Sequence, residues 1–202
     1  MSKSSNITNF FTNLARGISV VFSPAIFSLY FIIPILLFCS PQPILISAIG
    51  SLLFLYILPW TPVVYLAKTR KTDIGFLSGR ERIPFVLFSI LSYSLGAILF
   101  YFLESKPLLA LHLIYLIQAV SLVIGNMFLK PSIHESSFVS GVVFLSLMYN
   151  ISFLLLLILA PVIGWSRYIL EIHSIAELLF GFIIGIISGF TGIFLMYICT
   201  KL

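Results

Sequence analysis

Charge is what this sequence has least of. Only 8% of its 202 residues are charged, 11 Lys or Arg against 6 Asp or Glu, where a soluble domain carries about 25%. With 60% of the chain hydrophobic, a water-facing surface cannot be built, and the composition points to an integral membrane protein. Cysteine is nearly missing: Cys39 and Cys199 both lie in apolar runs, and CxxC or HExxH metal spacings do not occur. Also absent is the GxxxxGK[ST] phosphate loop, so no metal or cofactor is expected. The apolar runs are continuous and lack the alternation of barrel strands, which argues against a β-barrel. The basic residues sit in short loops between apolar runs, which argues against nucleic acid as a partner. A cleavable signal sequence is not expected either, because a polar start runs directly into a full-length apolar stretch.

What is present is a series of stretches near twenty residues long, each sufficient for a helix to cross about 30 Å of hydrocarbon. The expected fold is all-α, a polytopic bundle of about six to seven transmembrane helices. Residues 1–17 are polar, with Phe10, Phe11 and Leu14 on one helical face; they read as an interfacial helix, or else as a frayed terminus. Residues 18–202 read as one transmembrane domain, without repeats or a dividing linker.

Spans are expected at 18–39, 43–67, 84–102, 108–129 and 175–199. The apolar stretch 138–165 is too long for one comfortable span and short for two. As a single helix it would put the polar stretches on either side of it on opposite membrane faces. As a hairpin turning at Tyr149-Asn150 it would put both on one face, and this reading is preferred because Asn favours turns and is costly in lipid. Gly181, Gly185 and Gly189 recur every fourth residue in the last span and read as a close-packing surface.

With the hairpin, three polar stretches share a face: KTRKTDIGFLSGRERIP from Lys68, KPSIHESS from Lys130, and WSRYILEIHSIAE from Trp165. Cations in hydrocarbon cost on the order of 2.5–3.5 kcal/mol each, so they gather at interfaces or in cavities. Arg80, Arg82, Lys130 and Arg167, with Ser132, His134 and His173, are groups suited to holding a phosphate and moving a proton. His173 and Glu177 are four apart, nearly on one helical face. A carboxylate there can keep one imidazole nitrogen protonated and leave the other as a lone pair. The plainer alternative is an interfacial His and Glu that simply meet water. Arg167 and Glu171 are also four apart and could pair with each other. His112, inside a span, reads as a helix-to-helix hydrogen-bonding residue, and Glu135 as a solvated loop carboxylate.

Ser166-Arg167, five residues, His173, three residues and Glu177 resemble the SRxxxxxHxxxD signature of the type 2 phosphatidic acid phosphatase (PAP2) superfamily. Pro131-Ser132-Ile133-His134 resembles its PSGH signature. The two occur in the family's order, and the resemblance covers the chain from about Lys68 to the end of the last helix. It implies a metal-independent lipid phosphate phosphatase. In that role His173, oriented by Glu177, attacks phosphorus to form a phosphohistidine, and His134 protonates the leaving group. Arg167 and Arg82, with Arg80, Lys71, Lys130 and Ser132, bind the phosphate; anchoring at the membrane surface is the other role for Lys71 and Lys130.

The chain departs from the family pattern in three places. Glu177 replaces Asp, Ile133 replaces Gly, and the KxxxxxxRP signature is not matched. Arg82 is the better candidate for its arginine and Arg80 the second. The implied partner is a membrane lipid phosphate, either a diacylglycerol phosphate or a polyprenyl mono- or diphosphate. An anionic-lipid transporter and a non-catalytic PAP2-like membrane protein are the alternatives. Lys3, Arg16, Lys68 and Arg70 outnumber Lys106 and Lys201 on the other face, which predicts a cytoplasm-facing site. The expected location is the cell membrane, and nothing in the sequence specifies an oligomeric state.

Overall fold

A computed structural model describes residues 2–39, 41, 43–70 and 74–201, with side chains from residue 9 onward except that of Arg70. Among these residues there is no strand. The helices are α1 (Ser2–Val21), α2 (Pro24–Pro34), α3 (Ile44–Ser51), α4 (Leu58–Arg70), α5 (Gly79–Phe102), α6 (Lys106–Gly125), α7 (Ile133–Met148), α8 (Ala160–Ile169) and α9 (Ile175–Cys199). Five stretches are long and apolar enough to cross a membrane: Ile44–Thr69, Gly79–Phe102, Lys106–Gly125, Ile151–Ile169 and Ile175–Cys199. A sixth is added if Asn9–Val21 and Pro24–Cys39, bent by 42°, count as one span.

The all-α bundle is as expected, and the count by length and apolarity, five or six among the described residues, meets the expected six to seven at six. The difference from seven lies in α7, whose 16 residues rise only about 24 Å, short of about 30 Å of hydrocarbon. The hairpin itself is present. Asn150 accepts a hydrogen bond from the Ser152 amide at 2.8 Å and opens a nine-residue 3-10 stretch, Ile151–Leu159, that leads into α8. Such stretches rarely exceed four residues. The wider rise makes this return arm about 33 Å rather than about 28 Å, long enough to bring Arg167 back to the level where α7 began.

The N-terminal helix does not stop at Gly17 as expected. It runs to Val21, because the effective breaker is Ser23-Pro24: Ser23 caps α2 and Pro24 starts it. The single span expected over 18–39 is thus bent in two. Phe10, Phe11 and Leu14 are exposed on α1, and Phe11 meets Trp165 of α8 edge to face at 6.3 Å.

Proline also shapes the second span. Residues 52–57 are π-helical, and the Leu58 amide reaches back to the Leu53 carbonyl. The matching donor for the Phe54 carbonyl would be Pro59, which has no N–H. Ser92 of α5 supplies the missing hydrogen bond at 2.8 Å, as a polar group in a membrane interior requires.

The core lies between α2, α5, α6, α7 and α9, with Phe27, Phe31, Phe100, Leu111, Ile114, Phe138, Val142 and Met196 buried. The glycine ladder packs as expected. A β-carbon at Gly181 would lie 2.6 Å from the Ser132 carbonyl oxygen, and one at Gly185 2.7 Å from that of Ser136. Glycine thus lets α9 lie directly on α7. Gln118 of α6 ties into the same region: its amide donates to the Ser137 hydroxyl at 2.8 Å and accepts from Ser140 at 2.9 Å. His112 differs from expectation. Its Nδ1 donates to the Leu108 carbonyl of its own helix at 2.7 Å, and its ring packs against Phe100.

Candidate functional site

The three polar stretches meet at one end of the bundle. Arg82 lies in the first turns of α5, a helix started by a capping box in which Ser78 and Glu81 satisfy each other's backbone amides. It is 1% exposed, with Nε donating to the Ile74 carbonyl at 2.9 Å and Nη2 to that of Gly75 at 2.7 Å. A buried guanidinium needs such acceptors, because stripping it of water is costly. Arg80 is exposed and does not line the cavity that Arg82 faces. Lys71 lies outside the described residues.

His173 precedes α9, which also starts with a capping box. Glu177 Oε2 accepts from the Ser174 amide at 2.9 Å and stands 3.2 Å from His173 Nδ1. One carboxylate therefore both caps the helix and holds the imidazole. Because the carboxylate accepts, Nδ1 carries the hydrogen. Burial, then the charges of Arg82, Arg167 and Lys130, lower the His173 pKa to about 2, with a hydrogen bond to the Lys130 backbone opposing them. The imidazole is neutral at physiological pH.

Lys130 is half-buried in the loop before α7. Its pKa is lowered by burial first and by Arg82 second, while Glu177 raises it. Ser132 is fully buried and caps α7, its Oγ accepting from the Glu135 amide. His134 follows on the first turn of α7, beside Arg167 and His173. Arg167 comes from the last turn of α8 and is buried. It is turned toward α1, donating from Nη1 to the Ser19 hydroxyl.

His134, His173, Arg82 and Arg167 share one cavity of about 650 Å³. Its other walls are mostly apolar, among them Leu55, Pro59, Trp60, Phe85, Val86, Tyr93 and Tyr115. The arrangement puts positive charge and two imidazoles at one end of a hydrocarbon-lined chamber. Among the described residues, no three His, Cys, Asp or Glu side chains gather as a metal site.

Two expectations are revised. Glu135 is not a solvated carboxylate: it is 4% exposed, beside Gly164 and Gly181, and its Oε2 has no hydrogen-bond partner among the described residues. Ser19 was not expected at the site, yet its hydroxyl meets Arg167 and its carbonyl meets His134 Nε2 at 3.2 Å. Nothing local marks it, since one serine in the apolar run GISVV reads as helix packing. The capping boxes SGRE and SIAE, by contrast, were present as sequence signals for the helix starts that carry Arg82 and follow His173. Comparisons of the chain with family models, curated proteins and solved structures give no match.

Proposed function

We propose that this chain is a metal-independent lipid phosphate phosphatase of the PAP2 type, working through a phosphohistidine. The observation that carries the reading is the meeting of His173–Glu177, His134, Arg82 and Arg167 at one end of a cavity whose other walls are mostly apolar. A lipid phosphate is amphiphilic in the same sense, with an anionic head for the cations and a tail for the apolar walls.

His173 has Nδ1 turned to Glu177, so Nε2 attacks phosphorus. The bond to the leaving oxygen breaks, and His134, protonated once the anion is bound, gives that oxygen its Nε2 proton. The now neutral His134 then takes a proton from water, whose oxygen displaces His173 and releases phosphate. Arg82, Arg167 and Lys130 bear the charge that moves onto the equatorial oxygens. The substrate is a diacylglycerol phosphate or a polyprenyl phosphate, and the site faces the cytoplasm from the cell membrane.

His173→Ala should lower phosphate release from a lipid phosphate by a factor of at least about 10³, while the protein still inserts and purifies as a folded species. Undiminished release by that variant would end the proposal. Acid-labile label trapped at His173 during turnover is the positive form of the same test.

A further inference from the structure

We propose that Ser19, on a helix outside the signature stretches, is a positioning residue for both halves of the site. The proposal rests on the phosphatase reading for what the positioning serves, and on geometry alone for the positioning itself. Ser19 lies on the last turn of α1 and is 7% exposed. Its Oγ accepts from Arg167 Nη1, and its carbonyl oxygen is 3.2 Å from His134 Nε2. A carbonyl only accepts, so Nε2 must carry the hydrogen. One residue thus sets the direction of a guanidinium and the tautomer of an imidazole.

Helix α1 can do this because the chain turns at Ser23-Pro24, bending α1 from α2 by 42°, so that Ser19, Val20 and Ser23 form part of the cavity wall. Phe11 packs on Trp165, two residues before Arg167. The helix is therefore held to α8 at the turn that carries the arginine. A guanidinium whose direction is already set loses less freedom when it binds an anion, and a histidine with its proton on Nε2 presents that proton where Ser19 now accepts it. Arg167 keeps its Ser19 hydrogen bond while its other N–H groups turn to substrate oxygens, and only the His134 proton passes from the Ser19 carbonyl to the leaving oxygen.

The experiment uses purified full-length protein in lipid discs, as wild type, Ser19→Ala and Ser19→Thr. Arginine side-chain ¹⁵N NMR reads the Arg167 guanidinium without any substrate. Wild type and Ser19→Thr should show restricted rotation, and Ser19→Ala should show averaging. With a lipid phosphate, Ser19→Ala should raise KM roughly tenfold, the worth of a hydrogen bond to a charged group, with a smaller change in kcat, and Ser19→Thr should restore it. Arg167 signals unchanged in Ser19→Ala would overturn the positioning role, as would a KM effect that Thr does not restore. If wild type releases no phosphate but the Arg167 signals respond as expected, the phosphatase reading falls and the positioning role stands.

Discussion

Glu177 does two tasks with one oxygen, and its length is what permits them. From the third position of α9 its carboxylate reaches back to the Ser174 amide, which a capping box requires of Glu or Gln, and from there it also touches His173. Glu177→Asp should shorten that reach. We expect a loss of about 1 kcal/mol of stability, the usual scale of a capping interaction, and a larger fall in kcat than in KM, read by thermal melting and by phosphate release. His173 makes a pH prediction of its own. Its folded pKa of about 2 lies below the unfolded value of 6.5, so below pH 6.5 the unfolded chain takes up a proton that the folded chain refuses. The stability of this group is complete above pH 6.5 and is lost as the pH falls toward 2. Between pH 6.5 and 5 the loss is about 2 kcal/mol. Melting curves should therefore shift down over that interval in wild type and shift less in His173→Gln.

At the scale of helices, the site depends on how closely α7 and α9 approach. The Ser132 amide donates to the Glu177 carbonyl at 3.1 Å, joining the start of α7 to the start of α9 between the two histidines. Glycine makes that approach possible, and the margin is small. A methyl group at Gly185 would lie 2.7 Å from the Ser136 carbonyl oxygen and 2.7 Å from the Val139 β-carbon. Gly185→Ala should force the helices apart and cost about 1–3 kcal/mol, measured as a lowered melting temperature. Activity should fall with it, because His134 rides on α7 while His173 is held to the first turn of α9 through Glu177. The ladder was legible from its spacing alone. The long 3-10 arm was not, since residues 153–159 are an unbroken apolar run that fits a span of any helical type.

Across the whole molecule, the polar ends of α5, α7, α8 and α9 gather on one side, and Lys106 and Lys201 stand at the opposite ends of α6 and α9. Single reporter cysteines decide which side faces the cytoplasm. Thr69 and Lys106 are both exposed, whereas Ser105 is buried and would not label. In a background with Cys39→Ser and Cys199→Ser, an impermeant thiol reagent applied to intact cells should modify Lys106→Cys and spare Thr69→Cys. The reverse pattern would put the end that carries the histidines outside.

Some of this architecture needed no fold to be seen. Hydropathy and helical spacing are local properties, so the all-helical character, the turn at Asn150 and the His173–Glu177 pair could be read along the chain, each within a few residues. The site could not be completed that way. Arg167 finds the Ser19 hydroxyl 148 positions away and His134 finds the Ser19 carbonyl across 115, and Glu135, beside a reactive-looking histidine, turns away into the packing of α8 and α9. Which polar groups meet depends on where each helix bends and how far each arm rises before the chain returns. Those are sums over many residues, and only the folded bundle adds them up.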